Sequence, residues 1–311
     1  MARIVVTGAS GFLGTHVLEA FREEAGHEIL SLSRREYDLT REEAVGSMFA
    51  DLRPDYVVHL AGLSGGIQSN RIRPADYFHE NILLLTHMFH HAARNGVRRL
   101  LVPMGGCSYP ATAPSPIREE EMWNGYPQGE SAGYSVAKKM SLVLSEVYRK
   151  QDGLESVVVI PGNLYGEHDN YSLADSHVIP AMIRKIHAAK TRGERKLAFW
   201  GTGAPRRDFV YVGDVAALIP YFLFDYRGDG PVNLSSGTSI SIRDLAGKIA
   251  SIFGYGGEIE WDASYPDGQM VKIFSVERLR NLGKSCPTPI DEGLRKTVAW
   301  YEENYPGGIR L

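Results

Sequence analysis

Cysteine is scarce in this sequence: Cys107 and Cys286 are the only two among 311 residues. They lie too far apart for metal-ligand spacing and too few for a disulfide framework, which fits a reducing compartment. Positive charge is not in excess either. The 34 Lys and Arg are balanced by 37 Asp and Glu, so no basic field is available to hold a nucleic-acid backbone. Long apolar runs are missing as well. No stretch approaches the roughly 20 residues that span a bilayer, and the apolar start Ile4–Val6 runs into Thr7-Gly8 rather than into a secretory leader. No internal repeat or low-complexity linker interrupts the chain. These absences predict a cytoplasmic protein that acts on a small molecule, with no nucleic-acid or membrane partner and no metal. The length suits two closely joined domains.

What is present is an alternation of strand and helix patterns. Arg3–Thr7 is a short β-branched run, followed by a glycine turn and an amphipathic stretch to about Glu24. His27–Ser33 and Tyr56–Ala61 read as the second and third strands. Between them Thr40–Leu52 carries a helical pattern opened by Thr40-Arg41-Glu42-Glu43, the spacing of a capping box. A long helix is expected over Pro74–Asn95, a strand over Arg99–Met104, a helix over Tyr134–Gln151 and a strand over Ser156–Ile160. This order predicts an α/β fold: a Rossmann doubly wound parallel sheet with helices on both faces. After Gly162 the pattern loosens. His177–Ala189 and Ile242–Phe253 read as helices, Phe209–Val212 as a strand, and 254–268 is rich in Gly, Pro and Asp. A smaller mixed α/β substrate lobe is expected to close over the strand ends, where open α/β sheets bind ligands. The expected division is 1–165 with 208–235 for dinucleotide binding and 166–207 with 236–311 for substrate.

Gly8-x-x-Gly11-x-x-Gly14 follows a strand and opens a helix, the context that a dinucleotide site requires. Glycines permit the tight turn and let backbone N–H groups approach a pyrophosphate at the positive helix N-terminus. About 20 residues on, an acidic side chain would accept from the ribose of NAD. This chain instead has Ser33-Arg34-Arg35, two guanidiniums suited to the 2′-phosphate of NADP. A plain βα turn and solvated arginines are the ordinary alternatives.

Tyr134-Ser135-Val136-Ala137-Lys138 places a phenol and an amine one helical turn apart. A phenol of pKa about 10 donates or accepts a proton near neutrality only with a cation beside it. At this point the chain resembles the extended short-chain dehydrogenase/reductase superfamily and, within it, the GDP-L-fucose synthase family of 3,5-epimerase/4-reductases. The resemblance runs nearly end to end. It is carried by Ser64-Gly65-Gly66-Ile67, Pro74-Ala75-Asp76, Cys107-Ser108-Tyr109-Pro110 and the run from Gly162 to Asn170. Further blocks are Ser176-His177-Val178-Ile179-Pro180-Ala181, Trp200-Gly201-Thr202-Gly203 and the run from Asp262 to Gly268.

The resemblance implies NADP as cofactor, along Gly8, Ser10, Gly11, Phe12, Leu13, Gly14, Arg34, Leu60, Ala61, Gly62, Lys138, Pro161, Asn163 and Leu164. It implies that Cys107 and His177 invert C3 and C5 of a GDP-4-keto-6-deoxy sugar. Their ordinary pKa values, about 8.5 and about 6.5, lie close enough to neutrality for proton exchange. Tyr134 would protonate the C4 oxygen as it is reduced, with Lys138 lowering the tyrosine pKa and holding the nicotinamide ribose. Lys185 and Arg207 would neutralise the substrate diphosphate, with Lys272 as a further phosphate contact. Trp200 would pack on the sugar nucleotide, and Asp267 would hydrogen-bond the substrate. A homodimer is implied, through the helices over Pro74–Asn95 and Tyr134–Gln151.

Two positions depart from the family pattern. Four residues before Tyr109, where a Ser or Thr usually hydrogen-bonds the substrate carbonyl, stands Gly105, followed by Gly106. Ser108 is the nearest hydroxyl, and reduction is expected to be impaired relative to epimerisation. Ser10 stands where an extra arginine for the 2′-phosphate is common. The alternatives are a related enzyme for another keto sugar with a weakened reductase step, and a non-catalytic NADP-binding sensor. His87, His90 and His91 share one helix, where i,i+4 histidines can hold a metal. No third ligand is in reach, so they read as a packing face.

Overall fold

The structure is a computed structural model and describes residues 1–22 and 26–310. The first five strands are β1 (Ala2–Thr7), β2 (His27–Ser31), β3 (Tyr56–His59), β4 (Arg99–Pro103) and β5 (Ser156–Pro161). With the short strand Val232–Leu234 they form one six-stranded sheet, ordered Val232–Leu234, β5, β4, β3, β1, β2. Every pairing in it is parallel. Successive β1 residues supply opposite faces. Ile4 and Val6 join a core with Val17 and Phe21 of the helix Phe12–Arg22 and with the helix Val212–Phe224. Val5 joins a second core with Met48, Phe49, Leu85 and Phe89 from the helices Glu42–Leu52 and Pro74–Arg94. Burial on both faces is why these strands read as continuous apolar runs.

The expected doubly wound α/β fold is present. The strand order turns outward on either side of the β1/β3 junction, and the crevice beyond the carboxyl ends of those two strands is where such sheets take ligands. A third core is built by Tyr171, Ile183, Ile186, Phe199, Leu245, Ile249, Leu294 and Tyr301, all from residues after 164. Three small sheets surround it rather than extending the large one. The segment around Phe274 and Leu279 packs on the sheet-side cores instead.

Several local expectations are corrected. The capping box does not form: Thr40 Oγ1 donates to Asp38 Oδ1 at 2.7 Å, and the helix begins at Glu42 with Arg41 at its N-cap. The nearby carboxylate captures the hydroxyl before the helix amides can. The strand expected over Phe209–Val212 ends at Tyr211, and Val212 opens the helix Val212–Phe224, which was not anticipated. Apart from Asp214 in its first turn that helix is apolar, and it contains Pro220, so its sequence shows little amphipathic period. The strands read to Ser33 and Ala61 stop at Ser31 and His59, and the stretch expected to reach Glu24 is a helix to Arg22, beyond which Glu24 lies outside the described residues.

Candidate active site

The glycine turn sits hard against the end of β3. Gly8 has φ +66°, and a Cβ there would stand 2.7 Å from Ala61 N and 2.8 Å from the Leu60 carbonyl carbon. A Cβ on Gly14 would reach Ala9 Cα at 2.8 Å, and one on Gly11 would reach Gly8 O at 2.8 Å. Gly11 N donates back to Gly8 O at 2.9 Å, closing the turn. Ser10, Gly11, Phe12 and Leu13 therefore lie along a bare backbone ledge at the start of the helix Phe12–Arg22. This cradle fits a dinucleotide pyrophosphate. Arg34 lies just beyond β2, exposed, 3.8 Å from Asp38 and 3.5 Å from Glu80. Leu60, Ala61 and Gly62 continue from β3, Pro161 closes β5, and Asn163 and Leu164 lie on the short strand Asn163–Tyr165. Asn163 Nδ2 donates to Asp208 O at 2.6 Å.

Tyr134 and Lys138 share the helix Ala132–Asp152, as their spacing predicts. The Lys138 amine is buried and would stand 3.6 Å from a Cβ on Gly62. Burial pushes it down to about 8, with Cys107 pulling the other way. Around it are groups the sequence reading missed. His59 is buried, bonded to Thr7 Oγ1 at 2.9 Å through Nδ1, and lowered to about 3 by burial and then by the Lys138 charge. Asn81 donates to Leu63 O and Tyr77 O at 2.9 and 2.8 Å. A histidine inside an apolar strand and an asparagine inside an apolar helix face were the available signals. Tyr134 moves opposite to expectation: burial, then the charges of Cys107 and Tyr77, raise its phenol. In the protein alone, desolvation is the largest influence on the phenol.

Gly105 is the hinge of the arrangement. A Cβ on it would stand 3.2 Å from Cys107 Sγ and 3.4 Å from Tyr134 Oη, so thiol and phenol border the same small space. Ser108 cannot substitute for the missing hydroxyl. It is fully buried, and its Oγ donates to Ser135 O at 3.0 Å. Gly106 is imposed by packing, since a Cβ would overlap the Phe274 ring, with Cε1 at 2.8 Å.

His177 arrives from the second lobe as the N-cap of the helix Val178–Arg192. Its side chain is exposed, and the neighbouring protein lowers its imidazole pKa by partial desolvation. Lys272 and Arg207 pair in register on adjacent parallel strands, and desolvation lowers the Lys272 amine, with Cys107 pulling it up and Arg207 pushing it further down. Lys185 holds its amine 5.5 Å from the Trp200 ring centroid. Trp200 stays exposed and stacks on Tyr265 at 4.5 Å with an 11° tilt, a flat apolar platform. Asp267 is already engaged: its oxygens accept from Thr202 N and Oγ1 at 2.7 Å each, which pins the loop carrying Tyr265. The three helix histidines face protein neighbours. His87 faces Leu39 O, His90 bonds Tyr148 Oη at 3.1 Å, and His91 stacks on Phe49.

A family model described as the NAD dependent epimerase/dehydratase family matches residues 4–234. The chain belongs to this family. It is 34% identical over 303 residues to GDP-L-fucose synthase 1 of Arabidopsis thaliana, covering 97% of this chain and 94% of that one. Among solved structures it resembles a GDP-L-fucose synthetase from Naegleria fowleri bound to NADP, with TM-score 0.93 and 28% identity over 100% of this chain and 95% of that one. It also resembles a GDP-6-OMe-4-keto-L-xylo-heptose reductase from C. jejuni, with TM-score 0.90 and 25% identity over 97% and 98% of the two chains. The resemblance drawn from the motifs is borne out by these relatives.

Proposed function

We propose that this member of the NAD dependent epimerase/dehydratase family is an NADP-dependent 3,5-epimerase and 4-reductase of a GDP-4-keto-6-deoxy sugar. The observation that carries the reading is the shared border of Cys107 and Tyr134 at Gly105. A substrate ketone seated there presents its oxygen to the phenol and an adjacent carbon to the thiol.

The ketone at C4 acidifies the protons at C3 and C5, so each centre can invert through an enolate. Cys107 serves one face of the sugar and His177 the other, one removing a proton and the other returning it. Partial desolvation lowers the His177 imidazole pKa from its ordinary value, which favours the neutral, accepting form. NADPH, held along the glycine turn, supplies the hydride that reduces C4. Tyr134 gives its proton to the C4 oxygen, and its raised pKa keeps that proton in place until charge develops there. Lys138 holds the nicotinamide ribose and stabilises the phenolate left behind. Arg207 and Lys272 present a cationic wall to the substrate diphosphate, and Trp200 offers the nucleotide a flat face. In this reading residues 1–165 with 208–235 carry the cofactor, and 166–207 with 236–311 carry the substrate.

Incubating the protein with GDP-4-keto-6-deoxy-mannose and NADPH should consume the reduced nicotinamide in proportion to sugar product. No oxidation and no solvent exchange at C3 or C5 would leave only the sensor reading. Among the described residues no helix is long and apolar enough to cross a membrane. We place the protein in the cytoplasm, where its two unpaired thiols would stay reduced.

The same proposal includes a homodimer. Phe78, Val143 and Val147 are 40–48% exposed on the neighbouring helices Pro74–Arg94 and Ala132–Asp152, an apolar stripe suited to a second copy. Sedimentation should give a two-chain mass, and Val143→Glu with Val147→Glu should reduce it to one chain. A wild-type monomer at micromolar concentration sinks this part.

A further inference from the structure

The last described residues return to the beginning of the chain. Tyr171 N donates to Arg310 O at 2.9 Å, and Asn170 and Arg310 form a parallel bridge. That backbone pairing carries the Arg310 guanidinium to the glycine turn, where Nη2 donates to the Ser10 carbonyl. We propose that Arg310 is a second cationic contact for a phosphate of the bound dinucleotide. The proposal rests on the reading of the glycine turn as an NADP site.

The turn itself contains no cation: residues 8–14 are Gly, Ala, Ser, Gly, Phe, Leu and Gly. Arg34, the cation expected from the sequence, has part of its charge offset by Asp38 and Glu80. Arg310 is exposed and, among the described residues, has no carboxylate partner in ion-pair range. A guanidinium carries five N–H donors, and one bond to Ser10 leaves the others for a phosphate. Burial raises the Asp169 carboxyl to about 7, with the Arg310 charge pulling it the other way. The tail is held by backbone bonds rather than by the guanidinium, so the side chain can turn toward a ligand without releasing the segment.

The test is titration of the intact protein with NADPH and, separately, NADH, read by calorimetry at two salt concentrations. Arg310→Gln should weaken NADPH about fivefold or more and make its binding less salt-dependent, while Arg310→Lys should keep most of the affinity. A greater loss for NADPH than for NADH assigns the contact to the 2′-phosphate, and equal losses assign it to the pyrophosphate. Both support the proposal. Arg34→Ala serves as the reference variant. If it weakens NADPH while folded Arg310→Gln binds as tightly as wild type, the proposal is overturned and the reading of the site stands. Wild-type protein that binds neither dinucleotide overturns both.

Discussion

Cys107→Ala should stop the exchange of the C3 and C5 protons for solvent deuterium when the keto sugar is incubated in D₂O without reduced cofactor. Positioned acid–base groups contribute about 10²–10⁴-fold each, so the loss should be at least about a hundredfold. NADPH binding should survive, because the cradle at Gly8, Gly11 and Gly14 and the Lys138 amine under Gly62 are built without the thiol. The cavity cost is small for a half-buried side chain at a cleft wall. The paired measurement is the informative one: exchange lost and NADPH affinity kept. Exchange that continues at the wild-type rate would remove Cys107 from the mechanism and leave a reductase served by Tyr134 alone.

Gly105→Ser should speed reduction. The C4 oxygen gains negative charge as it is reduced, and the Tyr134 hydroxyl borders the space beside Gly105. Ser108 is committed to the Ser135 carbonyl. A single donor aimed at a developing oxyanion is worth about 10²–10³-fold where it has been removed. Installing one in a site that evolved without it should recover a smaller part, about tenfold or more in the single-turnover rate. The backbone permits the change, since Gly105 sits at φ −67° and ψ 142°, an ordinary extended conformation. The space is tight: the new Cβ meets Cys107 Sγ at 3.2 Å and Tyr134 Cε1 at 3.3 Å, so both side chains must give by a few tenths of an ångström. Deuterium exchange should change little. A folded variant with unchanged reduction would mean that the oxygen is already fully served in the wild type.

The sheet and the glycine turn were legible because each rests on a local signal. β-Branched runs buried on both faces are continuous in sequence, and Gly8 is dictated by a positive φ against the next strand. The Tyr134/Lys138 pair was legible for the same reason, being one turn of one helix. Long-range competition hid the rest. Thr40 met the shape of a cap, but Asp38 held its hydroxyl. Val212–Phe224 is mostly apolar, so the polar face that marks a surface helix is nearly absent from its sequence. The Asp267 oxygens also accept from Thr202 N and Oγ1, a contact across 65 positions that sequence spacing does not announce. Arg310 reaches the glycine turn across 300 positions, a distance no spacing argument covers.

The mutual influence of Cys107 and Tyr134 has a bearing on timing. A charged sulfur makes the phenol a poorer acid. In the proposed cycle the sulfur carries its proton whenever a carbon centre is planar: as base it has just taken that proton, as acid it has not yet given it. The sulfur is charged only beside a tetrahedral carbon, before it takes a proton or after it gives one. A Cys107 left charged by an inversion should then hold back proton transfer from Tyr134, and with it the reduction of C4, until the sulfur is protonated again.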